Sequence, residues 1–76
     1  MKTADEIANG FAKKNGFNVI ERVAEKDGWV YFHLNWKPRP KYTGNPNVIK
    51  ISRSGRLIYI NNLKEIFWAL EQAREA

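Results

Sequence analysis

In 76 residues the chain has no cysteine, one histidine and one methionine. Without cysteine there is no disulfide, cysteine-ligated zinc, iron–sulfur cluster or thiol nucleophile. No apolar run approaches the roughly 20 residues of a membrane span, and the opening MKTADEIANGFAKKNG lacks a signal-peptide pattern. A soluble, cytoplasmic protein without a membrane partner is the expectation. HxE, a Gly-rich phosphate loop and a positioned carboxylate pair are also missing, and His33 is the sole histidine. Neither catalysis, nor a cofactor, nor a bound metal is therefore expected.

A further absence is local. From residue 28 to 64 there is no Asp or Glu, while Lys37, Arg39, Lys41, Lys50, Arg53, Arg56 and Lys64 supply seven positive charges. Charges cancel before this block and sum to minus two after it, so the net +5 arises in the middle of the chain. Such segregation implies a one-sided field that attracts a polyanion.

Against these gaps, 43% of residues are hydrophobic and 13% aromatic, too apolar for a disordered chain. The length suits a single domain, residues 1–76, and a domain of this size buries only about 60% of the surface its unfolded chain exposes. Thr3 with Glu6 forms a capping-box pattern, Ile7, Ala8, Phe11 and Ala12 make one stripe, and Gly16 is a stop; a helix over about residues 3 to 15 follows. Two β-rich runs, 17 to 25 and 29 to 36, flank Asp27-Gly28, a hairpin signal that predicts Val23 opposite Phe32, Arg22 opposite His33 and Ala24 opposite Tyr31. A second hairpin around Ser54-Gly55 pairs Ile51 with Ile58 and Ile49 with Ile60, leaving Lys50 opposite Tyr59. A second helix starts at Asn62, with Leu63, Ile66, Phe67, Leu70 and Ala73 on one side and Trp68 opposite them. The predicted fold is α+β in the order α-β-β-β-β-α, a four-stranded antiparallel sheet with both helices packed on one face.

Alternation puts Val30, Phe32, Leu34 and Trp36 with the four isoleucines under the helices. Trp29, Tyr31, His33, Lys50 and Tyr59 then fall on the opposite face. Three aromatics on a sheet face facing water need a partner or a cover. Aromatics interleaved with cations stack bases in several single-strand-binding modules, whereas a protein partner or a homodimer would bury the same surface. Folding of the long connection back over the sheet is the third option.

That connection begins WKPRPKY. Proline at alternate positions keeps the backbone extended, so Lys37, Arg39 and Lys41 are spaced cations on a stiff arm, with Tyr42 as a stacking surface. Solvated loop charges explain the same pattern. Arg53 and Arg56 flank the second hairpin turn, where two guanidinium groups either clasp a phosphate or keep strand ends soluble. A small non-enzymatic domain that binds single-stranded or structured DNA or RNA is the leading expectation; a protein-interaction or homodimer module is the alternative.

The order helix, three strands, helix resembles a double-stranded-RNA-binding domain, a scaffold also used by small toxin nucleases of toxin–antitoxin systems. That family clusters lysines at the start of its last helix; here Asn62, Leu63, Lys64 and Glu65 supply one lysine and an acid, and a fourth strand is added. The segment from Trp36 to Tyr42, followed by a strand, Asn61-Asn62 and an aromatic-containing helix, resembles the single-stranded-DNA-binding transcriptional coactivator family. That likeness covers about the last fifty residues.

Overall fold

The computed structural model of the chain describes residues 3–37 and 46–75. The first helix, α1 (Ala4–Lys14), starts where the Thr3 hydroxyl accepts the Glu6 amide at 3.2 Å. Asp5 and Glu6 occupy its first turn and Lys13 and Lys14 its last, each opposite in sign to the dipole end it sits on. Gly16, at φ +83°, redirects the chain into β1 (Val19–Lys26). Asp27 and Gly28, at φ 53° and 81°, form the tight turn to β2 (Trp29–Asn35). β3 (Asn47–Ser52) and β4 (Leu57–Tyr59) complete an antiparallel sheet in the order β1-β2-β3-β4, and α2 (Leu63–Glu75) closes the chain. The α+β class, the element order and the four antiparallel strands are those expected from the sequence.

The placement of the helices on one face is corrected. Phe32, Leu34, Ile49 and Ile51 are buried against Ala8 and Ala12 of α1. Tyr31 and Val48, on the other face by strand alternation, are buried with Ile66 and Ala69 of α2. The sheet is therefore sandwiched between the helices. Both faces carry large apolar side chains, and burying each such chain is worth roughly 1.5–3 kcal/mol, so each face recruits its own helix.

Two registers also differ from expectation. Ala24 does pair with Tyr31, but a bulge at Val23 pairs Arg22 with Phe32 and Glu21 with His33. The extra residue lets Val23 and Ala24 both join the α2-side cluster, while Arg22 reaches Asp5 of α1 at 3.6 Å. In the second hairpin the loop has three residues, not two: the Ser52 amide donates to the Arg56 carbonyl at 2.9 Å, and Gly55 takes φ +88°. Ile51 then pairs with Leu57, Lys50 with Ile58 and Ile49 with Tyr59. A one-residue slip turns every β4 side chain over, so Ile60 joins the α2 side and Tyr59 leaves the expected aromatic face.

The buried stripe of α2 is rotated as well. Ile66 and Ala69 are buried, and Trp68, expected to point away, packs edge-on against Tyr31 with ring centroids 5.2 Å apart. Trp36, expected beside Phe32 and Leu34, lies one residue past β2 and stacks on Phe17 at 4.6 Å.

Candidate nucleic-acid interface

Strand alternation does bring Trp29, Tyr31, His33 and Lys50 to one face, with His33 between Glu21 and Val48 in register. That face is covered by α2. Tyr31 is 4% exposed; its hydroxyl donates to Glu65 Oε2 at 2.9 Å, and Lys50 Nζ donates to the same oxygen at 2.8 Å. The Lys50 ammonium also lies over the Trp29 ring, 4.9 Å from its centroid, and Lys26 covers Trp68 at 5.0 Å. The Lys50 hydrogen bond, more than any other influence, holds the Glu65 carboxyl below the usual carboxylate range; burial opposes it, and Tyr31 and the charge of Lys26 assist. Burial first, then the bond to Glu65 and the charges of Glu65 and Asp27, push Tyr31 up to about 12. Tyr31 and Lys50 are thus fastened inside the fold. An open stacking platform on this face is corrected to an internal polar lock beneath α2.

Tyr59 lies on the α1 side, 43% exposed, with its ring 6.1 Å from Phe11 and its hydroxyl bonded to Asn47. Burial raises its pKa. Arg39, Lys41 and Tyr42 fall outside the described residues. Lys37 is exposed, and its backbone is fixed on both sides by Asn18: the Lys37 amide donates to Asn18 Oδ1 at 2.7 Å, and Asn18 Nδ2 donates to the Lys37 carbonyl at 2.8 Å. These bonds and the Phe17–Trp36 stack join the end of α1 to the end of β2.

At that end of the sheet the fold brings the lysines after α1 and β2 together, and a third segment carries Lys64 on the opposite face. Lys13 and Lys14, exposed in the last turn of α1, sit just before the Phe17–Asn18 anchor. Lys37 is where the KPRPKY arm leaves β2. Lys64, also exposed, lies in the first turn of α2, which starts after the Ile60 amide has bonded the Val48 carbonyl near the start of β3. Asn62 caps that turn, accepting the Lys64 and Glu65 amides at 2.9 and 3.3 Å. The carboxylate adjoining Lys64, that of Glu65, is turned inward onto Lys50 and Tyr31.

Arg53 and Arg56 are exposed at the opposite end of the strands, on a tip that touches α1 near its acidic first turn: a Cβ on Gly55 would meet Ile7 Cδ1 at 3.3 Å. A six-residue strand separates the two ends by roughly 20 Å, so the expected site residues do not form one cluster. Reading charge along the sequence missed Lys13 and Lys14, because Asp5 and Glu6 cancel them in a linear count while the helix holds the two pairs at opposite ends.

Among the described residues no three His, Asp or Glu side chains are grouped to hold a metal ion, and no helix is long and apolar enough to cross a membrane. No protein-family model, curated protein or solved structure matches the chain, so the likenesses to double-stranded-RNA-binding and coactivator scaffolds rest on element order and short segments alone.

Proposed function

We propose that this chain is a non-enzymatic nucleic-acid-binding domain that grips phosphates at one end of its sheet, not across the sheet face. The observation that carries the proposal is that exposed Lys13 and Lys14, at the end of α1, are tied to exposed Lys37, where the KPRPKY segment begins, by the Asn18 bonds and the Phe17–Trp36 stack, while exposed Lys64 starts α2 on the other face of the sheet. Spaced lysines on a rigid frame neutralise successive phosphates, and the strand or structured segment they hold is positioned by its backbone. With Tyr31 and Trp29 engaged beneath α2, stacking on the sheet contributes little, so binding is sequence-tolerant. Arg39, Lys41 and Tyr42 follow Lys37 in the sequence and lie outside the described residues.

Titration of a labelled single-stranded oligonucleotide, followed by anisotropy across a salt series, tests this. Four phosphate contacts give a log-log salt slope of about −3, from about −0.7 per contact. Absence of binding at about 50 mM salt and micromolar protein overturns the proposal.

A further inference from the structure

The outward side of α2 carries apolar surface that the fold leaves uncovered. Leu63 is 45% and Phe67 56% exposed, and Phe67, Leu70, Glu71 and Arg74 line a shallow groove. At 100° per residue, Leu63, Phe67, Leu70 and Arg74 fall within about 60° of one another, a single stripe beside the face that meets the sheet. Lys64 and Glu71 both lie on the solvent-side flank of that stripe, two turns apart, and Ile66 and Ala73 on its sheet-side flank.

We infer that this stripe pairs with the same stripe of a second copy, antiparallel, about a two-fold axis near Phe67. The flanking charges select that occupant and that direction. A two-fold perpendicular to the paired helices brings each solvent-side flank against its equivalent, reversed in direction. Lys64 of one copy then meets Glu71 of the other, and Glu71 meets Lys64. Parallel pairing, about an axis along the helices, sets each solvent-side flank against the partner's sheet-side flank, so Lys64 and Glu71 would face Ile66 and Ala73 and find no charge partner. Phe67 packs at the axis, with Leu63 and Leu70 to either side and the Arg74 stem over the partner's Leu63.

The stripe is about 17 Å long at 1.5 Å per residue, and one helix–helix contact of that length buries on the order of 400 Å² per copy, half a standard interface. Two copies at +5 each also repel. The dimer is therefore weak, with dissociation on the order of 100 μM, and it survives salt that strips phosphate contacts.

Sedimentation equilibrium of the full chain without nucleic acid, from about 20 to 500 μM in about 0.5 M NaCl, tests it. The expected result is a mass rising from 8.9 kDa toward twice that value. Phe67→Glu, at an exposed position, should weaken association at least about tenfold with unchanged circular dichroism. In about 50 mM NaCl, where screening is small, Glu71→Lys alone should weaken association, and Lys64→Glu with Glu71→Lys should restore it, because the exchanged pair is again complementary across the axis. A monomer throughout the range, dimerisation of Phe67→Glu equal to the parent, or failure of the exchange to restore it overturns the inference. The stripe then belongs to a partner of different chemistry. Because nucleic acid is absent, either result leaves the phosphate-binding proposal standing on its own titration.

Discussion

The Tyr31 hydroxyl, from the middle of β2, donates to the Glu65 carboxylate, from the first turn of α2, at 2.9 Å. Lys50 of β3 reaches the same oxygen, so one carboxylate ties two central strands to the helix above them. The Lys50–Glu65 pair is largely sheltered from water, unlike the half-exposed Arg22 pairs with Asp5 and Glu25. Screening weakens those outer pairs far more.

Removing this link should loosen α2 specifically. Tyr31→Phe deletes one hydrogen bond to a charged acceptor and should cost about 1–2 kcal/mol; Glu65→Ala, which leaves both donors without their acceptor, should cost about 2–3 kcal/mol. Urea unfolding read by circular dichroism gives both values. Equal stability of Glu65→Ala and the parent would show that the link is incidental to the packing of α2.

Glu65 also sets an acid limit. Its carboxyl titrates lower in the folded chain than the usual 4.5, so its stabilising contribution is complete above that value and disappears as pH falls through the lowered folded pKa. The parent should therefore lose more stability than Glu65→Gln between neutral pH and about pH 3. Tyr31 has the opposite sense: its neutral hydroxyl is favoured in the fold, so stability holds below pH 10 and declines as pH rises from there toward 12. Phenolate absorbance during alkaline titration should place Tyr59 and Tyr31 late, with Tyr31 last, and Tyr31→Phe should remove that last step.

The covered sheet face separates two modes of nucleic-acid binding. Trp29→Phe should leave oligonucleotide affinity within about twofold of the parent, because that ring is engaged by Lys50 and does not await a base. Lys13→Glu combined with Lys14→Glu should reduce affinity at least about tenfold at low salt and flatten the salt dependence. The reverse ranking in an anisotropy titration would restore the sheet face as the site.

Gly55 tests the hairpin register. At φ +88°, any Cβ is strained by about 1–2 kcal/mol, and this one would also press on Ile7 of α1. Gly55→Ala should destabilise the protein by about that amount, measured by urea unfolding. A neutral outcome would show that Gly55 is not held in the left-handed region at this turn.

Local chemistry determined much of this protein. The Thr3 cap, the Gly16 stop, the Asp27-Gly28 turn and the Asn62 cap each act within a few residues, so their consequences can be read before the chain is folded. Element order and the antiparallel sheet follow from them. The tertiary structure alone decided which surface is open. Tyr31 and Trp29 sit on a face that alternation identifies, but whether that face meets water depends on where α2 travels after Ile60, a non-local choice. Two single-residue irregularities decided sides of the sheet, the bulge at Val23 those of Arg22 and Val23 and the three-residue loop before Arg56 those of Tyr59 and Ile60, because strand side chains alternate with a period of two. The basic end of the sheet is likewise a product of folding, since Lys13 and Lys37 are distant in the chain and come to one end only when the segment after α1 is fastened to the end of β2.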